Sequence, residues 1–193
     1  MKKITIQNVS TFYQDDYVLL NKASYLTKNQ KENSWAYIKR KNNTKASVII
    51  PLIFETQEIV LIKQFRIPVN QNVIEFPAGL IEKGEDPALA GLRELEEETG
   101  YQGKVLSLSP LLSTGAGITS ETIYLLLVKI IGLPKAQQLE ESEEIEVLKI
   151  PLQKAHEVLK DLSKTCLIDA KVWTLLGWLS VFLNSSLNFS IEF

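Results

Sequence analysis

The densest runs of aliphatic and β-branched residues are Ala46–Phe54 (ASVIIPLIF) and Glu58–Phe65 (EIVLIKQF). Only a short polar break separates them, and together they predict a pair of strands. Ahead of them, residues 1 to about 45 mix apolar and polar positions over short stretches. Tyr17–Thr27 and Ser34–Arg40 are the strand candidates there, and Lys41-Asn42-Asn43-Thr44 is a turn signal. Val73–Phe76 predicts a short strand running into Pro77-Ala78-Gly79, and Val105–Leu112 and Thr122–Ile131 predict two more. The period then changes. Pro87–Thr99 reads as a helix, with Asp86 placed to cap its start, Pro87 at the first helical position and Gly100 placed to end it. Further helices are predicted over Leu152–Leu162 and Asp169–Leu183. Within the latter, Val172–Leu183 is the longest apolar stretch. Thr174, Gly177 and Ser180 interrupt it, and it is too short to cross a bilayer, so it reads as a buried helix. Mixed strands with three helices give an α/β class. There is no internal repeat or low-complexity tract.

Composition narrows the picture. A length of 193 residues suits one compact domain with room for a small subdomain, and 45% apolar with 23% charged residues is ordinary globular usage. The net charge is −2 and the basic residues are dispersed, so no clustered face for nucleic acid is expected. The single cysteine, Cys166, excludes a disulfide framework, and a reducing cytoplasm is the expected compartment. Met1–Asn8 is not followed by an apolar run of signal-peptide length, and no membrane partner is expected. His156 is the sole histidine and sits beside Glu157 in a predicted amphipathic helix. A surface position is expected for it, a conventional zinc site is ruled out, and no motif supports a Ser-His-Asp centre built on it.

The chemistry concentrates in Gly79–Tyr101, GLIEKGEDPALAGLRELEEETGY. On a helix, Ala88, Leu92 and Leu95 share one face and should pack on a sheet, while Glu94, Glu97 and Glu98 lie on the other. Glu94 and Glu98 are four residues apart, where like charges destabilise a helix, so the cluster calls for a compensating cation. Hard divalent cations take carboxylate and phosphate oxygens together. Ala90 and Gly91 are expected on the same side, their small size leaving room for a metal and a pyrophosphate. A solvated acidic face is the plain alternative. It leaves unexplained why Gly79, Glu85, Arg93, Glu94, Glu97, Glu98 and Gly100 fall at their offsets, a coincidence on the order of 10⁻⁸ per start position at average usage.

Those offsets resemble the signature box of the Nudix hydrolases, with every position filled and Tyr101 standing where an aliphatic residue is more usual. The resemblance implies an α/β/α sandwich with a mixed sheet (residues 45–193) behind a small antiparallel β subdomain (residues 1–44). It also implies Mg²⁺-dependent hydrolysis, with Mn²⁺ able to substitute. The metal ligands it implies are Glu94, Glu97, Glu98 and the backbone carbonyl of Ala78. Arg93 would orient an acid such as Glu85 or Glu97, and Gly79, Glu85 and Gly100 would support the box.

Beyond the box, Ile62-Lys63-Gln64-Phe65-Arg66 followed by Ile74-Glu75-Phe76-Pro77-Ala78-Gly79 resembles the ADP-ribose pyrophosphatase branch, as does the Ile168-Asp169-Ala170 layout near the C-terminus. The branch implies a nucleoside diphosphate sugar as substrate, with Arg66 and Leu80 contacting it. Gly117-Ile118-Thr119-Ser120-Glu121 resembles the loop that carries a catalytic glutamate in several relatives, so Glu121 is the candidate general base or extra metal ligand. Where that loop usually reads Ser-Pro-Gly, this chain has Gly115-Ala116-Gly117. Other relatives take the base from a later acidic stretch, here Glu140, Glu141, Glu143 or Glu144, although a solvated loop is the preferred reading of that stretch. Finally, Ser34-Trp35-Ala36-Tyr37-Ile38-Lys39-Arg40 is similar to a segment that supplies an adenine-stacking tryptophan and an assisting arginine from a partner subunit. That implies substrate contacts from Tyr17, Trp35 and Arg40 and a homodimer with exchanged N-terminal strands. The competing readings are a GDP- or UDP-sugar hydrolase and a non-catalytic ligand-binding regulator. The latter often lacks box carboxylates, which are all present here.

Overall fold

A computed structural model gives the architecture and describes residues 3–141 and 143–177. Three antiparallel strands come first: β1 (Thr5–Gln14), β2 (Val18–Leu26) and β3 (Glu32–Arg40), in the order β1-β2-β3. β1 is longer than the short segments expected. It is exposed along its whole length, because nothing among the described residues covers its outer edge.

The main sheet holds β4 (Ala46–Ile53), β5 (Glu58–Arg66), β6 (Gln71–Glu75), β7 (Ala78–Leu80), β8 (Gln102–Leu108), β9 (Leu112–Ser113), β10 (Thr122–Ile131), β11 (Ile145–Pro151) and β12 (Leu167–Ile168). Its backbone order is β12-β6-β5-β4-β10-β8, with β4 and β10 parallel and most other pairs antiparallel. β4 and β5 form the central hairpin expected from their apolar runs. Ile59, Val60, Leu61 and Ile62 are all buried, which marks a strand covered on both faces.

Alternating residues feed two cores. One contains Ile49, Val60, Leu95, Leu126 and Val128, under α1 (Pro87–Thr99). The other contains Val48, Ile59, Leu61, Ile74, Leu159 and Val172, under α2 (Ala155–Leu162) and the helical segment that starts with α3 (Ala170–Val172). Helices thus cover both faces of a mixed sheet, an α/β/α sandwich with a separate N-terminal sheet.

α1 obeys its sequence signals. The Asp86 carboxylate accepts from the Ala88 and Leu89 amides, and Gly100 closes the helix at φ 74. A Cβ at Gly100 would also collide with the Lys135 carbonyl. Gly91 departs from expectation. A Cβ there would sit 2.5 Å from a Leu126 methyl, so its small size lets α1 lie close on β10 and does not hollow out a ligand space. Ala90 is likewise fully buried.

Other boundaries shift for local reasons. The strand expected from Val105 begins at Gln102, because the chain turns onto β10 as soon as Gly100 ends the helix, and it stops short of Pro110. The helix expected from Leu152 opens as a 3₁₀ turn over Leu152–Lys154. The one expected from Asp169 is capped by that residue and widens into a π-turn at Trp173–Gly177. Its continuation to Leu183, with Trp178 and Phe182, lies outside the described residues. His156 stays away from the cavity described next and packs on Trp173, ring centroids 5.4 Å apart.

Candidate active site

The sheet splits where the site forms. β4 and β5 pair only at Leu52↔Ile59 and Ile53↔Glu58, next to their turn, and then diverge. β6 pairs with the later half of β5 (Ile62–Arg66), while β7 pairs with the start of β4 (Ala46–Val48). Phe76-Pro77 carries the chain across the gap, and the Pro77 carbonyl accepts from the Ile49 amide at 2.8 Å. A cavity of about 410 Å³ opens at this split. Its walls include Ala46 and Val48, Arg66, Glu75, Ala78–Leu80, Glu94 from α1, Arg40 and Glu121, and Glu140, Glu143 and Lys171.

The helix acids are less solvated than an amphipathic pattern implies. Glu98 is 4% exposed, and its Oε2 accepts from the Ala78 amide at 2.9 Å. Desolvation pushes its carboxyl up to about 8, against the opposing pull of that amide, and the Glu94 and Glu143 charges add to the rise. Glu94 is also raised, by burial first. Its pairing with Arg93 does not outweigh the lost hydration. A carboxylate forced out of water without a matched charge costs several kcal/mol in general, which a divalent cation would offset.

Gly79 is explained by the same crowding. A Cβ there would overlap the Glu94 carboxylate, so any other residue would displace that side chain from its place beside Arg93.

Arg93 organises the outer side. Its Nε and Nη2 meet the two Glu85 oxygens at 3.1 and 3.2 Å, and Nη2 also donates to the Leu80 carbonyl at 3.1 Å. Nη1 reaches Glu94 at 2.8 Å and Glu97 at 3.0 Å. The Arg93 bond and the Glu82 amide hold the Glu85 carboxyl below its ordinary range. The planar guanidinium therefore ties the loop before α1 to the acids on it.

Among the described residues no three acidic, histidine or cysteine side chains converge as a ready metal cage. Glu94 and Glu97 face Arg93, and Glu98 faces the Ala78 amide. The donor set still fits a hard divalent ion. Glu94, Glu97, Glu98 and the Ala78 carbonyl are all oxygen donors, and the two most buried of the acids are those whose charged forms most lack compensation.

Arg40 Nε meets Glu121 Oε1 at 2.5 Å on the cavity wall, and Thr114 Oγ1 lies 3.3 Å from Glu121 Oε2. Arg66 Nε is fixed by Glu75 Oε2 at 2.6 Å. Tyr17 and Trp35 do not line the cavity of their own chain. Tyr17 is 75% exposed, and the Trp35 indole N–H donates to the Gly117 carbonyl at 3.0 Å.

The acidic stretch is solvated at Glu140, Glu141 and Glu144, as preferred, but Glu143 is half-buried. Glu140 and Glu143 form part of the wall, and the Glu143 charge is felt at both Glu94 and Glu98. Sequence reasoning missed Glu75, Thr114 and Lys171. An acid inside the apolar run Val73–Phe76 was the available sign for Glu75. Lys171, whose Nζ is held by Asp169 at 2.7 Å, carried no local sign.

The family model for the NUDIX domain matches residues 43–167. The ADP-ribose pyrophosphatase of Saccharomyces cerevisiae is 36% identical over 185 residues, covering 89% of this chain and 80% of that protein. The ADP-sugar pyrophosphatase of Mus musculus is 39% identical over 123 residues, covering 60% of this chain and 56% of that protein. A crystal structure of an ADP compounds hydrolase superposes with a TM-score of 0.74 at 21% identity, covering 95% of both chains, and so shares the fold.

Proposed function

Since the chain belongs to the Nudix family, we propose that it is a Mg²⁺-dependent pyrophosphohydrolase acting on ADP-ribose or a related nucleoside diphosphate sugar. ADP-ribose would yield AMP and ribose 5-phosphate. One observation carries the reading: Glu94, a desolvated acid of α1 one turn from the still more buried Glu98, borders a cavity that Arg40 and Arg66 also line. That arrangement pairs anion-reading guanidinium groups with oxygen ligands for a cation, as a diphosphate requires.

Glu94, Glu97, Glu98 and the Ala78 carbonyl would hold the divalent ion, Mg²⁺ or in its place Mn²⁺. When bound, such an ion neutralises phosphate charge and makes its water more acidic. Arg93 holds Glu94, on the cavity wall, and Glu97 beside it from a fixed base on Glu85 and the Leu80 carbonyl. Arg66, immobilised by Glu75, and Arg40 contact the diphosphate, and Leu80 closes the floor. Two acids compete to accept the proton of the attacking water. Glu121 is engaged by Arg40 and Thr114, whereas Glu143 faces Glu94 and Glu98 with only the Glu140 amide on its carboxylate among the described residues. We assign the base to Glu143 and a positioned ligand role to Glu121.

Turnover of an ADP-ribose, GDP-sugar and UDP-sugar panel with Mg²⁺, followed by phosphate detection after phosphatase, tests the substrate class. Preference for a GDP- or UDP-sugar would replace ADP-ribose. Glu143→Gln is expected to lower kcat roughly 10²–10⁴-fold, the usual worth of a general base. A larger loss in Glu121→Gln than in Glu143→Gln would reverse the assignment.

A homodimer completes this reading. Ile4, Ile6, Phe12 and Tyr13 on or beside β1 are each more than half exposed, an apolar surface that a second copy would cover. Sedimentation at the mass of a single 21.8 kDa chain would exclude it.

A further inference from the structure

Gly115-Ala116-Gly117 stands where the resembling loops carry a proline, and two glycines with no proline leave this backbone intrinsically free. It is nonetheless well defined. The Ile118 and Thr119 amides both donate to the Gly115 carbonyl at 2.9 Å, which makes residues 115–118 a tight turn with Ala116 at its second position. Thr119 Oγ1 accepts from the Glu121 amide at 3.0 Å, and so passes the loop's geometry on to Glu121.

What orders the loop comes from far away in sequence. β3 runs beside it as a short parallel strand, with Ile38 bridged to Thr119. The Ile38 amide donates to the Ile118 carbonyl at 2.9 Å, and the Ser120 amide donates to the Ile38 carbonyl at 3.0 Å. Trp35, three residues earlier, reaches the turn itself by donating its indole N–H to Gly117. Arg40, two residues later, ends the ladder on the Glu121 carboxylate. One strand therefore holds the glycine turn, the loop backbone and the acid at its end.

We propose that Trp35 is a positioning residue: its indole N–H, together with the Ile38 ladder, supplies the rigidity that a proline would otherwise give this loop, and thereby sets Glu121 at the cavity. The catalytic part of this inference rests on the pyrophosphohydrolase reading above, whereas the ordering part does not. The role differs from base stacking, which needs the ring face and not the N–H. Trp35 as a residue is 54% exposed, and its side-chain hydrogen bond is the one its indole N–H makes to Gly117.

Phenylalanine at this position separates the two roles, since it keeps an aromatic face and loses the donor. In the full-length chain, Trp35→Phe is expected to speed hydrogen exchange of the amides of residues 118–121 at least severalfold. It should lower kcat for ADP-ribose roughly tenfold, with KM changed less than about twofold, as loss of one preorganising hydrogen bond allows. Ala116→Pro should rescue both properties in the Trp35→Phe background. Proline is favoured at the second position of such a turn, and the Ala116 amide donates to no hydrogen bond among the described residues. On its own, Ala116→Pro should change little.

Exchange and kcat unaltered in Trp35→Phe would overturn the proposal, as would a defect expressed in KM alone. A rescue absent from the double variant would overturn the claim that the tryptophan stands in for a proline. If the wild-type protein fails to turn over nucleoside diphosphate sugars, the functional reading falls while the exchange result still decides the loop's anchorage.

Discussion

The box helix and the β3–loop unit both deliver acids to one cavity, but they do so by opposite physical means. α1 is held by burial. Leu95 and Ala90 are fully enclosed, Gly91 presses on Leu126, and Glu94 and Glu98 are carried into the sheet with the helix that bears them. The acid on the loop, Glu121, is held by hydrogen bonds and one ion pair on a partly solvated wall. Groups fixed by burial should be costly to the fold and hard to replace. Groups fixed by exposed polar contacts should be cheap to the fold and tunable. Substitutions in each region can break that contrast.

The largest effect is expected at Glu98. Glu98→Gln keeps the shape and an acceptor for the Ala78 amide but removes the charge, and activity should fall by several orders of magnitude. Stability should move the other way. The folded carboxyl is pushed from its ordinary 4.5 up to about 8, so the fold binds a proton that the unfolded chain releases. Without divalent ions, this group's contribution is therefore fullest below about pH 4.5 and is lost as pH rises through about 8. Thermal melts in chelator at pH 5 and pH 9 should show wild type losing stability relative to Glu98→Gln across that window. Mg²⁺ should then recover the loss in wild type alone. A variant that is no more stable at pH 9, or one that still turns over, would show that burial of this acid is not what prepares the site.

This difference also sets what could be read from the sequence. The box was legible because its geometry is local: Asp86, Pro87 and Gly100 bound the helix, and the i, i+4 spacing of Glu94 and Glu98 puts two acids side by side. The strands that build both cores were legible from their apolar runs, and their boundaries moved only where Gly100 or Pro110 intervened. The burial of Glu98 was not legible. A helix wheel assigns it to the polar side, whereas the split between β4 and β5 lets β7 pass beneath it. Nor was the clamp on Glu121, because Arg40 and Glu121 are 81 positions apart and no local pattern joins them. Glu143 was hidden for the same reason: only the fold puts it on the cavity wall, where its charge reaches the helix acids.

The smallest effect tests the other side of the contrast. Thr114 Oγ1 reaches Glu121 Oε2 at 3.3 Å from an exposed position, while Arg40 grips the opposite oxygen at 2.5 Å. Thr114→Val preserves the β-branched shape that suits its place beside β9 and deletes only the hydroxyl. A long hydrogen bond from a hydroxyl to a carboxylate already paired with arginine, at an exposed position where water can replace it, is worth at most about 1 kcal/mol. Melting should therefore shift by no more than about 4 °C, and kcat should fall less than about fivefold, with KM unchanged. Arg40 is the stronger tether because its contact is charged and short, so Arg40→Gln should exceed Thr114→Val in its effect on kcat. The contrast breaks if Thr114→Val proves as damaging as Glu98→Gln. Glu121 would then depend on an exact two-sided grip, and the loop would belong with α1 as a rigid catalytic element and not with the tunable wall.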